Sequence, residues 1–235
     1  MLRPYSEQAA TLDQASTILV IDDDVDLRNS LGRLLRSVGL NALLFASVSD
    51  FLKSEPPGGP SCLVLDVRLP GQSGLEFQRE LAAAGRDLPI IFITGHGDIP
   101  MSVQAMKCGA IEFLTKPIRD QELLDAIQLG LTRDRVRREN ESALADLKER
   151  FGALSPRERE IMIQVARGRL SKQIAGEIGI AETTVKVHRS KAMRKMDARS
   201  LPEFGQMAAK LNLVPEKSRR AWPAELNPPF NTEVK

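Results

Sequence analysis

Cysteine is nearly absent: the 235-residue chain holds two, Cys62 and Cys108, and no Cys-x-x-Cys pair. A disulfide framework and a structural zinc site are excluded on that count, and a reduced, cytoplasmic chain is expected. Aromatic residues make up only 4%, so the core has to be built from Leu, Ile, Val and Ala. No run of about 18 apolar residues occurs, which argues against a membrane span. The opening MLRPYSEQAATLDQAS has no apolar signal-peptide core, which argues against secretion. No solenoid-length repeat is visible. What is present is ordinary for globular protein, 42% hydrophobic and 27% charged, and the length suits two domains better than one.

The net charge of +2 conceals an asymmetry. Residues 1–130 carry 11 Lys and Arg against 17 Asp and Glu, whereas residues 151–212 carry 12 against 6. An acidic first part joined to a basic second part predicts two tasks, one of them involving an anionic partner such as nucleic acid.

From residue 17 onward short apolar runs alternate with helical patterns: TILVI (17–21), NALLF (41–45), CLVL (62–65), PIIFI (89–93) and AIEFL (110–114). Runs this short, bounded by turn residues and spaced for a crossover helix, predict buried strands. Between them LRNSLGRLLRSVG has apolar residues at intervals of three and four and stops at Gly39, while EPPGGPS (55–61) is a loop. The expected fold is α/β, a five-stranded doubly wound parallel sheet over residues 17–130. A helical pattern resumes at Asp120 with Leu123, Leu124, Ile127 and Leu131 on one side. It passes through TRDRVRRENES, charged all round, and regains a stripe at Leu144, Leu147, Phe151 and Leu154. That predicts a long or broken helical linker over 131–150, either a solvated spacer or a short dimerising coil, although the apolar repeat never reaches three heptads. Residues 1–16 and the tail 213–235, which holds four prolines and no apolar period, are expected to be disordered.

In a parallel α/β sheet, chemistry gathers beyond the carboxyl ends of the strands. Just past the runs stand Asp22, Asp23 and Asp24, then Asp66, then Thr94, then Lys116 followed by Pro117. Three converging carboxylates disturb one another's ionisation unless a cation joins them. Oxygen-only ligands suit a hard ion, and Mg²⁺, which keeps coordination positions for a phosphate, fits best. Lys116 offers the opposite charge to a phosphoryl group, and the Thr94 hydroxyl can donate to one of its oxygens. The set describes phosphoryl transfer to a carboxylate, with Asp66 as nucleophile. Taken singly, each Asp reads better as a helix N-cap or loop residue, since DDDVDLRNSL is also a helix start; the joint placement reverses that. The Lys116-Pro117 bond lies in a tight turn where a cis peptide is an option.

ILVIDDDVDLRNSL, LVLDVRLPGQSGLE and IIFITGHGDIPMSVQAMKCGAIEFLTKP together resemble the receiver domain of bacterial two-component response regulators, across essentially all of residues 17–130. The resemblance implies that Asp22, Asp23, Asp66 and the backbone carbonyl of Arg68 hold Mg²⁺, and that Asp66 accepts a phosphoryl group from a sensor histidine kinase. Thr94 and Lys116 would be the switch hydroxyl and the site lysine, and Phe113 the aromatic switch, although an aromatic on a strand is more often core. The domain would catalyse its own phosphorylation and dephosphorylation. Charge added at Asp66 would draw in Thr94, repack Phe113 and expose a dimerisation surface on the fourth helix and fifth strand. Cys62 and Cys108 receive no role.

The basic part reads as an all-α domain of four short helices: SPREREIMIQVARG, SKQIAGEIG, AETTVKVHRSKAMRKM and SLPEFGQMAAKL. Ser155, Pro156 and Glu158 form an N-cap, a first-turn proline and a capping-box glutamate, and Gly168 and Gly179 are stops. A short helix, a turn at Gly179-Ile180 and a second helix capped near Glu182 or Thr183 have helix-turn-helix spacing. That second helix presents Lys186, Arg189, Lys191, Arg194 and Lys195, with Val185, Met193 and Met196 facing inward. A cationic helix alone is more often a solvated face; after a helix and turn it becomes the recognition element. The stretch resembles the LuxR-type output domain of the NarL/FixJ response regulators over residues 151–212. By that resemblance Lys186, Val187 and Ser190 would approach base edges or the adjacent backbone, Lys172, Arg189 and Lys191 would meet phosphates, and Thr183, Thr184 and Arg194 complete the set. Ser171 and Ser190 depart from the residues most members carry there, so base preference does not transfer.

Joined in this order the halves resemble a FixJ-type transcription regulator, nearest the group that includes the StyR and TodT regulators of aromatic-compound catabolism. The implied partners are promoter duplex DNA, a cognate sensor histidine kinase, a second copy of the chain on phosphorylation, and RNA polymerase; activation of a catabolic operon is the implied outcome. Three alternatives remain. A Mg²⁺-dependent phosphohydrolase lacks a second carboxylate two residues after Asp66, where Arg68 stands. An RNA-binding antiterminator is disfavoured by the basic second helix, and phosphorylation-independent DNA binding by the intact acidic pocket.

Overall fold

The computed structural model describes residues 16–213 except 96 and 98; the termini expected to be disordered lie outside these, apart from Ser16 and Leu213. The chain forms two compact units that divide after Glu139. In the first, β1 (Thr17–Ile21), β2 (Asn41–Phe45), β3 (Ser61–Asp66), β4 (Ile90–Thr94) and β5 (Glu112–Thr115) make one parallel sheet in the order β2-β1-β3-β4-β5. The crossover helices are α1 (Val25–Ser37), α2 (Val48–Lys53), α3 (Gly74–Ala83) and α4 (Ile99–Lys107), and α5 (Asp120–Gly152) follows β5. From β1 the chain winds to β2 on one side and β3 on the other, so the switch point lies between the carboxyl ends of β1 and β3, where such sheets bind ligands.

Strand alternation sorts the core into two layers. Ile18 and Val20 join Leu35 of α1 and Leu123 and Ile127 of α5 on one face. Leu19 and Ile21 join Phe51, Phe77 and Leu81 of α2 and α3 on the other. Every residue of β3 is buried because both faces are covered. The aliphatic core expected from composition is real in the first layer. The second concentrates the scarce aromatics, with Phe45, Phe51 and Phe77 in successive edge-to-face contacts of 5.6 Å.

Three strands are displaced from the apolar runs. β3 includes Ser61 and Asp66, β4 runs one residue later, and β5 starts at Glu112. Apolar runs mark burial, whereas strands end where the ladder ends: Asp66 pairs with Ile93 and Thr94 with Thr115. Asp66 and Thr94 are therefore the last ladder residues, held by the sheet itself.

The linker pattern is one helix, α5, continuous through the charged run. That run is not a solvated spacer throughout. Asp134 is fully buried and accepts the Ser61 N–H at 2.8 Å, with Arg137 and Arg138 bonded to its oxygens at 2.6 and 2.7 Å. Arg138 also donates to the carbonyl of Pro57 at 3.2 Å, tying down the loop before β3.

The second unit contains α6 (Pro156–Ala166), α7 (Ser171–Ile178), α8 (Glu182–Met196) and α9 (Leu201–Lys210), packed around Ile161, Ile174, Val185, Ala192, Met196 and Phe204. Ser155 and Glu158 form the capping box of α6. Gly179, at φ 69°, closes α7 in the left-handed region where a side chain would be strained, and sets the turn into α8. The N-cap of α8 is Ala181, with no side-chain hydrogen bond, rather than Glu182 or Thr183. Among the described residues no helix is long and apolar enough to cross a membrane.

Candidate functional site

The carboxyl ends of β1 and β3 bring Asp22, Asp23 and Asp66 together, with carboxylate oxygens within 4.8 Å of one another; Asp22 and Asp66 are buried and Asp23 is exposed. Lys116, immediately after β5, reaches both buried members, its Nζ 2.8 Å from Asp22 Oδ2 and 2.5 Å from Asp66 Oδ2. Asp24 stands apart from this group as the N-cap of α1, accepting from the N–H groups of Asp26 and Leu27 at 2.9 and 3.1 Å. One of the three consecutive aspartates thus follows the helix-start reading. The Lys116-Pro117 peptide is cis.

The free second oxygen of each buried carboxylate is fixed by backbone: Asp24 N–H donates to Asp22 Oδ1 at 2.8 Å, and Arg68 N–H to Asp66 Oδ1 at 2.9 Å. Arg28, which the sequence pattern did not single out, donates to the Asp22 carbonyl at 2.5 Å from one turn into α1. Burial raises the Asp22 carboxyl above its usual range, against the hydrogen bond from Lys116, which lowers it. Burial works against the Lys116 charge as well, but the hydrogen bonds it donates to both carboxylates outweigh it and raise the ammonium's pKa. Three carboxylates against one ammonium leave an excess of two negative charges, and the donors are all oxygen. That balance fits a hard divalent ion such as Mg²⁺.

The loop after Asp66 is closed by an antiparallel bridge between Arg68 and Ser73, and Ser73 caps α3 in a capping box with Glu76. Gly74 packs so closely that a Cβ there would lie 2.4 Å from the Asp66 carbonyl oxygen. Thr94 is fully buried at the end of β4, and its carbonyl accepts the Lys116 N–H at 2.8 Å. Phe113 on β5 is half-buried, its ring 6.3 Å from that of Phe92. A Cβ on Gly97 would fall 2.8 Å from Phe113 and 3.1 Å from the Thr94 methyl, so Gly97 lies close against both.

In the second unit Thr183, Lys186, Val187, Ser190 and Arg194 recur at three- and four-residue intervals along the exposed side of α8, opposite buried Val185, Ala192 and Met196. Thr184 and Lys191 are exposed beside them, and Lys172 is exposed on α7. Lys186 is 2.8 Å from Glu182, whose carboxyl that contact lowers. Arg189 is half-buried and donates to the Ser171 Oγ at 2.9 Å. A groove of about 390 Å³ runs beside this face, bordered by Lys172, Lys186, Arg189 and the exposed Leu170. Lys195 does not belong to the cationic face: its ammonium turns to Glu158 of α6 at 2.7 Å. Sequence periodicity had no signal for that pairing, because the partner lies on another helix.

Residues 18–128 match the response regulator receiver domain family, and residues 152–208 match the LuxR family of bacterial regulatory proteins. Nodulation protein W of Bradyrhizobium diazoefficiens is 53% identical over 203 residues, covering 85% of this chain and 89% of that one. The response regulator protein TodT of Pseudomonas putida is 46% identical over 199 residues, covering 85% and 88%. Among solved structures, the response regulator StyR is similar with a TM-score of 0.74 at 47% identity, over 83% of this chain and 99% of that one.

Proposed function

The chain belongs to the response regulators of two-component systems, built of a receiver domain and a LuxR-type DNA-binding domain, and on that premise we propose that phosphorylation of Asp66 pairs two chains and tightens their grip on promoter DNA. The observation that carries the proposal is the buried Asp66 carboxylate held between the Lys116 ammonium and the Arg68 N–H at the switch point of the sheet. A carboxylate oxygen of Asp66 attacks the phosphorus of a kinase phosphohistidine. The new O–P bond forms as the P–N bond breaks, and the imidazole leaves. Lys116 balances the charge carried onto the site, and the Arg68 N–H keeps the Asp66 carboxylate aimed. Asp22, Asp23, Asp66 and the Arg68 carbonyl would hold Mg²⁺, which when bound supplies charge neutralisation at the phosphoryl oxygens.

The Thr94 hydroxyl then meets a phosphoryl oxygen, and Phe113, against which Gly97 lies, repacks. The surface that responds is α4, where Ile99, Val103 and Met106 are exposed at helical spacing and form an apolar stripe suited to a second copy. Paired chains present two α8 helices to half-sites related by two-fold symmetry. Thr183, Lys186, Val187 and Ser190 lie toward the bases, Lys172, Arg189 and Lys191 toward phosphates, and Thr184 and Arg194 along the flanks. RNA polymerase is the downstream partner, and the chain works in the cytoplasm.

Sedimentation velocity with acetyl phosphate and a Mg²⁺ salt tests the pairing. The native chain should shift from monomer to dimer, and Asp66→Asn should not. Val103→Glu should gain the phosphoryl group yet stay monomeric. A fully phosphorylated native chain that sediments as it did before would overturn the proposal.

A further inference from the structure

The Asp22–Asp23 peptide joins two members of the acidic cluster and lies just past the paired part of β1, which is in register with β2 and β3 as far as Ile21. The Asp22 N–H still reaches the Phe45 carbonyl, at 3.3 Å. The Asp22 carbonyl is taken by α1 instead: the half-buried Arg28 guanidinium donates to it at 2.5 Å. That bond is charge-assisted, the stronger kind. The backbone N–H of Arg28 donates to the Asp24 carbonyl at 3.0 Å, so one residue closes the first turn of α1 and clamps the strand end in front of it. The two carboxylates flanking the clamped peptide are held differently. Asp22 is fixed without Arg28, its Oδ1 by the Asp24 N–H and its Oδ2 by the Lys116 ammonium, both at 2.8 Å. Asp23 is the exposed member of the cluster, and its carboxylate is aimed through the backbone that carries it.

We propose that Arg28 is a positioning residue for the divalent-cation site: by holding the Asp22 carbonyl it fixes the peptide from which Asp23 projects, and so keeps the Asp23 carboxylate in reach of those of Asp22 and Asp66. The inference rests on the reading of this cluster as a Mg²⁺ site. Groups that orient a metal ligand are worth about tenfold to a hundredfold in metal affinity, and a clamp acting on one of three carboxylates belongs at the low end. The charge of Arg28 works the other way, because a guanidinium near the site repels a divalent cation. Removing Arg28 therefore weakens Mg²⁺ binding if its hydrogen bond positions Asp23, and strengthens it if its charge alone is felt.

The test is an amide NMR titration of the full chain with MgCl₂ at constant ionic strength. It follows the N–H groups of Asp24 and Arg68, which donate to the Asp22 and Asp66 carboxylates. Arg28→Met should raise the half-saturating MgCl₂ concentration by about tenfold. Arg28→Lys, which keeps both the charge and an N–H donor, should recover most of that loss. Arg33→Met removes the same charge from an exposed position farther along α1 and should leave the midpoint where it is. A general weakening of the fold lowers the intensity of the folded signals without moving the midpoint of those that remain, so it is read separately. An Arg28→Met midpoint equal to or below the native one, or an Arg28→Lys midpoint no better than that of Arg28→Met, would overturn the proposal. Native amides that do not respond to MgCl₂ would overturn the reading of the cluster as a Mg²⁺ site, and the positioning role with it.

Discussion

Lys195 sits on the helix proposed to read DNA, and its removal should damage the fold of the second unit rather than the contact with DNA. Its Nζ is 2.7 Å from Glu158 Oε2 and 3.3 Å from the Ala153 carbonyl. The same Glu158 oxygen accepts the Ser155 N–H at 2.8 Å and so closes the capping box of α6. The Glu158 side chain is 5% exposed and that of Lys195 41%. Breaking a fully buried pair costs about 3–5 kcal/mol and a surface pair less than about 1 kcal/mol. With one partner buried and the other half in water, Lys195→Met should cost about 1–2 kcal/mol. For a domain of this size that is a fall of roughly 5–15 °C in the melting of the second unit, read by calorimetry on the full chain. The loss should also depend on pH with a definite sign. The hydrogen bond from Lys195 lowers the Glu158 carboxyl below its usual value. Its stabilisation is therefore complete above the unfolded carboxylate pKa of about 4.3 and disappears as pH falls through the lower folded value. The gap between native and variant should be full at pH 6–7 and close in acid. An unchanged melting temperature, with a loss of DNA affinity as large as that of Lys186→Met, would refute this assignment.

Gly74→Ala places a methyl 2.4 Å from the Asp66 carbonyl oxygen, so the loop must move; labelling by acetyl phosphate should slow by about tenfold to a hundredfold, followed by intact mass. Asp134→Ala strips the Ser61 N–H of its acceptor and two arginines of their carboxylate, and should lower the stability of the first unit by about 2–4 kcal/mol in urea titration. Lys172→Ala and Lys191→Ala should each reduce the slope of log K against log salt by about 0.9 for each bound chain, with equal losses on promoter and random duplexes; a loss confined to the promoter would instead assign them to base contacts.

The strands were legible because a doubly covered sheet writes itself as short continuous apolar runs, and Asp22, Asp66, Thr94 and Lys116 followed from where those runs stop. Helix ends were legible where the signal is local, as at Ser155 and Gly179, and failed at α8, whose N-cap is an alanine. What escaped were pairs joined across the chain. Asp134 looked like one charge in a solvated run because its acceptor role is to the N–H of Ser61, 73 residues away. Lys195 looked like part of a cationic face because Glu158 lies 37 residues earlier on another helix. Asp24 could serve either the acidic cluster or the start of α1, and only the geometry separates the two: its carboxylate is taken up by two helical N–H groups. Composition likewise described the amount of aromatic residue and not its placement in one of the two core layers.

The central claim is that a phosphoryl group on Asp66 controls DNA binding. The most direct measurement takes the native chain and Asp66→Asn through acetyl phosphate and Mg²⁺, records intact mass, and titrates the same samples against a promoter fragment. One Mg²⁺-dependent phosphoryl adduct on the native chain, absent from the variant, together with at least about tenfold tighter DNA binding by the native chain alone, is the predicted result. An adduct that persists in the variant, or a native chain that binds DNA equally well with and without it, would contradict the account.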